Sequence, residues 1–250
     1  MSELTNEWIL KVLNSGELGL HGQFVLGSNY TLLVTVAFPC EAPDQTDEEA
    51  LIAVYKPEQG ERPLWDFEYG SLEKREVAAF LVSEALGWNL VPPIVYRTDG
   101  PYGPGSVQLY IEHDPNYHYF NFEPQDLARL QPVVAFDLII NNADRKGGHI
   151  LKDPQDNLWL IDHGLCFHQQ NKLRTVLWDF AGEPIPQALL EDMQNLLSGL
   201  QPGAAVRISL EALIQPEEVD ALQQRIEQLL RTRIFPLPDE RQRQYPWPPV

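Results

Sequence analysis

Asn141-Asn-Ala-Asp144-Arg145-Lys-Gly147-Gly148-His149 runs through Ile150-Leu-Lys152 and a polar turn into Leu158-Trp-Leu-Ile161-Asp162-His163-Gly164. An apolar helical pattern, Val133 to Ile140, leads into this polar, glycine-containing loop, and a short hairpin carries the chain on to Asp162. Two carboxylates, an imidazole and an arginine thereby reach the ends of rigid elements, where catalytic groups are usually carried. Asp162 closes a run of four apolar residues that would hold its carboxylate fixed. Gly147-Gly148 would let the loop turn sharply and bring His149 beneath it.

Upstream, Leu4, Trp8, Ile9, Val12 and Leu13 recur at helical spacing, with Gly16 as a stop. Leu18, Leu20, Gly22, Phe24 and Leu26 alternate as a half-buried strand would, and Tyr30 to Phe38 is a second β-rich run. Gly27-Ser28-Asn29 would be the tip of that hairpin, a place where backbone N–H groups can face phosphate oxygens. Glu41 to Glu49 reads as a solvated loop. Ala50 to Tyr55 is the next strand, ending in Lys56-Pro57, where the proline stops the pairing. In the loop from Arg62 to Gly70, Trp65 and Phe67 are expected to dock. Ser71 caps a helix through Leu86, with Gly87 as its stop and Leu72, Val77, Ala79, Phe80 and Leu81 on its apolar face. Glu76 lies close to that face, where an ion pair with Lys56 would satisfy both partly buried charges. Pro92 to Thr98 and Ser106 to Glu112 form another strand pair. The order is an antiparallel sheet crossed by one helix.

Glu112 to His118 is a polar connector. Glu123-Pro124 opens a helix, and Pro132 divides it from a second helix. After Gly164, helical segments are expected around Asn171–Phe180 and Gln187–Leu200, then an amphipathic helix from Glu217 to Arg233. The tail from Phe235 reads as an extended, proline-rich arm anchored by Trp247. The domain reading is therefore 1–112, 113–235 and a tail, 236–250.

The 250 residues are 44% hydrophobic and carry a net charge of −18. That composition is globular, and the acidity argues against nucleic acid and against tight docking on an anionic membrane. No apolar run approaches the ~20 residues that span a bilayer, so no membrane insertion is expected. Cys40 and Cys166 sit far apart with no disulfide framework, and no secretory signal is visible. A cytoplasmic protein is the simplest expectation.

Phosphoryl transfer requires positioned groups and charge neutralisation. Asp144 suits the orienting or deprotonating of an attacking hydroxyl, Asp162 and His149 suit a divalent metal, and Lys56 suits nucleotide phosphates. The series Val54-Tyr55-Lys56-Pro57, Glu76 on a helix, Asn142-Ala143-Asp144-Arg145 and Ile161-Asp162-His163-Gly164 resembles the protein-kinase-like superfamily. It is most similar to the phosphatidylinositol 3- and 4-kinase branch, including its small bacterial relatives, over roughly Gly19 to Asp179. The resemblance implies an α+β, two-lobe fold: an N-terminal lobe with an antiparallel sheet and one helix, and a mainly helical C-terminal lobe with a short catalytic hairpin. It implies ATP with Mg²⁺, Mn²⁺ being possible because histidine favours softer metals. By match, Lys56 would contact phosphates and pair with Glu76, Asp144 with Arg145 would form the catalytic motif, and Asp162 and His149 would hold metal. Gly27, Ser28 and Asn29 would cover the phosphates, and Leu109, Tyr110, Ile111 and Glu112 would form the hinge that meets adenine. His163 stands where the branch has phenylalanine, and His149 where it usually has asparagine.

The expected activity is ATP- and metal-dependent phosphotransfer to an unidentified small-molecule or protein hydroxyl. Three other readings stand beside it: a nucleotide-binding regulatory pseudokinase, AMP transfer with the same residues, and a metal hydrolase on Asp144, His149, Asp162, His163 and His168.

Overall fold

The computed structural model describes residues 5–24, 30–37, 50–239, 241 and 243–250. Gly27, Ser28, Asn29, Cys40 and the 41–49 loop lie outside them. The chain divides into two compact units, Met1–Val77 with Pro92–Ile111, and Ala78–Val91 with Glu112–Val250. The class is α+β, with an antiparallel five-stranded sheet in the first unit and a mainly helical second unit carrying a short hairpin.

In the first unit α1 (Asn6–Ser15) begins at Thr5, whose Oγ1 accepts from Trp8 N. The sheet order is β1 (Glu17–Phe24), β2 (Thr31–Ala37), β3 (Ala50–Pro57), β5 (Gly103–Leu109), β4 (Ile94–Gly100). Ile9, Val12 and Leu13 of α1 pack on Val34 and Val36 of β2, Ala53 and Tyr55 of β3 and Val107 of β5. Arg97 of β4 donates to Leu13 O and Gly16 O, at 3.2 and 2.7 Å, and so satisfies carbonyls at the end of α1. Strand alternation decides where Lys56 goes. Leu51, Ala53 and Tyr55 point into this core, so Lys56 shares the opposite face with Ile52 and Val54.

The half-buried alternation expected of β1 holds at Leu18, which packs against this core, and breaks down at Leu20. It is an edge strand with a bulge between Leu20 and Gly22, and Leu20 is exposed. Trp65 is 91% exposed, whereas Phe67 is buried under the Arg75 guanidinium. Helix α2 (Leu72–Leu86) stops at Gly87, whose φ of +69° is the left-handed cap that glycine accepts. Ser71 precedes it, but its hydroxyl donates to Glu68 O and accepts from Arg75 Nε.

In the second unit α3 (Pro124–Leu127) starts at its proline and α4 (Gln131–Ile140) carries Pro132 in its first turn. Helix α4 is buried almost all round, and α7 (Pro216–Thr232) packs against it. Helices α5 (Gln187–Gly199) and α6 (Ala205–Glu211) also pack on α7. No helix forms at 171–180, where the helical expectation was wrong. Those residues form an irregular segment ending in a turn, and three successive N–H groups bond to the loop after α4 and to the tail: Arg174 N to Asn142 O, Thr175 N to Gln244 O, Val176 N to Arg145 O. Trp247 is 78% exposed, and the buried residue at the root of the tail is Phe235. Among the described residues no helix is long and apolar enough to cross a membrane.

Candidate active site

Lys56 Nζ lies 2.5 Å from Glu76 Oε1, across the face of β3 that looks away from α1. The lysine keeps 21% of its side chain exposed while the glutamate keeps 3%. A nearly dry carboxylate holding a half-wet ammonium fixes a cation without hiding it. Beside them Glu73 and Glu61 are buried, with Gly70 N donating to Glu61 Oε2. Burial, reinforced by Glu61 and Glu76 and opposed by Lys56, pushes the Glu73 carboxyl up to about 8. The spacing of Glu76 from Lys56 was readable in the sequence, but the Glu61–Glu73 pair was not.

In the second unit α4 ends at Asn141, left-handed at φ +55°, and its amide ties the loop to the following segment. Asn141 Nδ2 donates to His168 O and Gln170 O, and its Oδ1 accepts from Lys172 N. Asp144 N donates to Asn142 Oδ1 at 2.9 Å. A 3-10 turn, Gly147–His149, then returns the chain to the hairpin β6 (Ile150–Lys152) and β7 (Leu158–Leu160). A Cβ at Gly147 would sit 2.8 Å from the Phe120 ring, so a side chain there would have to displace that ring. Ile161 N bonds His149 O, so the turn brings His149 to the strand that leads into Asp162.

Asp162 adopts φ +63°, a left-handed conformation that a non-glycine residue holds only where its surroundings enforce it. Its Oδ2 lies 3.4 Å from His149 Nε2, with the aspartate 49% exposed and the histidine 14%. Adjacent donors on a six-coordinate Mg²⁺ with bonds of about 2.1 Å stand about 3 Å apart, so this pair fits two neighbouring positions. No cluster of three or more acidic, histidine or cysteine side chains capable of holding a metal forms among the described residues. Such a site would therefore complete its coordination with phosphate oxygens and water, as Mg²⁺ sites commonly do.

Asp144 is partly exposed, with Lys146 Nζ 3.4 Å from its Oδ2. Burial pushes its carboxyl up to about 6; Lys146 opposes this and the negative charge of Asp162 adds to it. A carboxyl tuned towards neutrality beside a second carboxylate suits a proton acceptor.

Arg145 does not belong with these reactive groups. Its side chain is wholly buried and its Nε pairs with Asp137 at 3.0 Å. Its other nitrogens donate to His149 O, Ile161 O and His163 Nε2. It fastens the Asp144 loop, the His149 turn and the Asp162 segment to α4 and cannot touch a substrate. Asp137, its buried partner, went unread; its signal was one acid inside the apolar run Val133 to Ile140. His163 is equally buried and lies edge-on to Phe136. His168 hydrogen-bonds within its own turn, Nδ1 accepting from Gln170 N. Of the hinge residues, Tyr110 N bonds Ile52 O and Leu109 N bonds Pro93 O.

The phosphatidylinositol 3- and 4-kinase family model matches residues 72–219, which take in Glu76, Asp144, His149 and Asp162 but stop short of Lys56. The chain belongs to the phosphatidylinositol 3- and 4-kinase family. Protein Rv2133c of Mycobacterium tuberculosis is 39% identical over 95% of this chain and 94% of its own length. The rice phosphatidylinositol 4-kinase gamma 4 is 28% identical over 42% of this chain, a match that spans only 22% of the plant protein. Among solved structures, the Golgi casein kinase with Mn/ADP bound aligns with 98% of this chain and 80% of its own, at a TM-score of 0.57 and 14% identity. The Helicobacter pylori proinflammatory kinase CtkA aligns with 89% of this chain and 94% of its own, at a TM-score of 0.51 and 11% identity. At such identities these likenesses speak for the kinase-like fold of this family member.

Proposed function

We propose that this family member is a phosphotransferase that uses ATP and a divalent metal to phosphorylate a hydroxyl group. The observation that carries the reading is the His149–Asp162 pair, 3.4 Å apart on an enforced backbone, in the same unit as a carboxyl tuned to about 6, Asp144. His149 and Asp162 would hold the metal, which when bound would neutralise charge on the nucleotide phosphates. Asp144 takes the proton of the acceptor hydroxyl as its oxygen bonds to the γ-phosphorus and the bond from that phosphorus to the bridging oxygen breaks, releasing ADP. Lys56, held by Glu76, offers a cation to the phosphates. The neighbour solved with Mn/ADP supports nucleotide and metal use. With a net charge of −18, a neutral or cationic acceptor suits the surface better than a polyanionic headgroup.

The test is thermal stability with ATP, with and without Mg²⁺ or Mn²⁺, followed by ADP release in the presence of candidate hydroxyl acceptors. The nucleotide should stabilise the wild type only when metal is present, with the effect lost in Asp162→Asn and weakened in Lys56→Ala. Asp144→Asn should bind ATP normally yet turn over about 10²–10⁴-fold more slowly. No stabilisation by millimolar ATP with either metal refutes the proposal. A regulatory module was suggested by the two unusual histidines. That motive weakens because His163 has a packing role against Arg145 and Phe136.

A further inference from the structure

Gly147-Gly148 is the softest point of the loop that carries His149, because neither residue has a side chain to restrict its backbone. On the far side of this glycine pair the chain is fixed from within the site. The His149 carbonyl accepts from Ile161 N at 3.1 Å and from Arg145 Nη1 at 3.3 Å. The near side is fixed from elsewhere. Gly147 is buried, and its N–H donates to Pro249 O at 2.8 Å. The Val250 side chain lies over the second glycine, 3.9 Å from where a Gly148 Cβ would stand.

Pro249 and Val250 belong to the tail, which lies in the same unit as the turn. The tail is rooted at Phe235, whose N and O bond Glu183 O and Gly182 N. It is tied again where Thr175 N donates to Gln244 O at 3.0 Å, and Thr175 is itself bridged to Arg145. Between the Gln244 and Pro249 ties, Pro246 is buried while Tyr245 and Trp247 are exposed. This stretch is thus seated by two carbonyls and one proline, and its large aromatic side chains stay outside. A segment with so few fastenings can open locally while the rest of the fold stays intact. When it opens, the buried Gly147 N–H loses its acceptor and the glycine pair loses its cover.

We propose that residues 244–250 are a strap that seats the Gly147–His149 turn, with Pro246 and Pro249 as positioning residues for metal binding. Seated, the strap keeps His149 Nε2 at its 3.4 Å spacing from Asp162 Oδ2. Released, it lets the glycine pair swing the imidazole out of that spacing. Strap and metal favour the same arrangement of the turn, so each strengthens the other by the same factor. The inference rests on the reading of His149 as a metal ligand.

The experiment uses the full chain and compares wild type with Pro246→Ser and Pro246→Val. Mn²⁺ binding in the presence of ATP is read from the free-ion paramagnetic resonance signal, and seating from amide hydrogen exchange followed by NMR. Pro246→Ser should speed exchange at Gly147 and weaken Mn²⁺ binding about five- to tenfold. Exchange at Ile161 and Arg145, whose N–H groups are tied to His149 O and Arg174 O, should stay slow. Pro246→Val, which keeps an apolar side chain, should restore both readouts. In wild type, Mg²⁺ with ATP should in turn slow exchange at Gly147. Val250→Ser alters an exposed position, so it folds even if Pro246→Ser does not, and it should weaken Mn²⁺ binding in the same direction. Faster exchange with unchanged Mn²⁺ affinity overturns the proposal and leaves the tail as a covering only. So does exchange at Gly147 that neither variant alters. A wild type that binds no Mn²⁺ in the presence of ATP overturns the metal reading and the strap with it, so the wild-type arm separates the two failures.

Discussion

Arg145 Nη2 lies 2.8 Å from His163 Nε2, and both side chains are fully buried. A guanidinium has only donors to offer, so that ring nitrogen accepts. The resemblance would put phenylalanine at this position, yet here the histidine completes the Arg145 coordination that locks the Asp144 and Asp162 segments together. His163→Phe would keep a ring of similar shape and leave a charged donor without its acceptor. It should destabilise the fold by about 1–3 kcal/mol, seen as a lower urea midpoint with unchanged slope. A variant as stable as wild type would show the contact to be dispensable.

Breaking the same network at its other end should cost more. Arg145→Met strands Asp137, whose carboxyl burial already pushes up and which Arg145, Asn142 and Thr175 hold down. A loss of about 3–5 kcal/mol is expected, with much of it recovered in Asp137→Leu/Arg145→Met, since replacing both buried partners by apolar groups removes the stranded charge. Chemical denaturation of the two variants checks this. Equal stability of single and double variants would sink it.

Asp144 links activity and stability with opposite signs. Its carboxyl is raised from 3.8 to about 6 in the fold, so between about pH 4 and pH 6 the native state keeps a proton that the unfolded chain has released. Stability therefore falls as pH rises through that window and is flat above it. A general base works ionised, so turnover should rise over the same interval, with an acid limb near 6. Lys146→Gln removes the cation that lowers this carboxyl and should shift the limb upward. A pH–rate profile unmoved in Lys146→Gln would separate Asp144 from the proton transfer.

What could be read from the chain was whatever local spacing and residue type determine. Lys56 sits at an apolar strand's end, Glu76 near an apolar helix face, and Asp162 before a glycine, and each landed where those patterns put it. The order of strands and helices followed for the same reason. What stayed hidden depended on distant partners. The 171–180 segment has helical-looking apolar residues, but its N–H groups are claimed by the loop after α4 and by the tail. Trp65 and Trp247 looked like anchors because large aromatics usually bury, whereas the buried aromatic at each place was a neighbour, Phe67 or Phe235. Arg145 looked reactive because it follows Asp144, and only the burial of Asp137 beneath it reveals a brace.

Glu73 gives the first unit its own pH signature. In the fold its carboxyl is raised from 4.5 to about 8, chiefly by burial, then by Glu61 and Glu76. The native state holds this proton across a range where the unfolded chain has lost it, so stability should decline from about pH 4.5 to about pH 8. Glu73→Gln imitates the protonated form and should flatten that decline. Melting temperatures recorded at about pH 5, about pH 7 and about pH 9 provide the check; parallel curves for the two proteins would place the titration elsewhere.

The metal preference should follow from one nitrogen. His149 Nε2 stands 3.4 Å from Asp162 Oδ2, at the position where the resemblance would put an asparagine oxygen. Imidazole favours Mn²⁺ over Mg²⁺ more than an amide oxygen does, because the softer nitrogen donor suits the later metal. His149→Asn should therefore weaken Mn²⁺ binding relative to Mg²⁺ while keeping a usable donor. His149→Ala should weaken both, since the turn Gly147–His149 survives but the donor is gone. Binding can be followed by the loss of the free Mn²⁺ paramagnetic resonance signal in the presence of ATP, with Mg²⁺ as competitor. An unchanged Mn²⁺-to-Mg²⁺ ratio in His149→Asn would mean that the histidine is a neighbour of the metal and not its ligand.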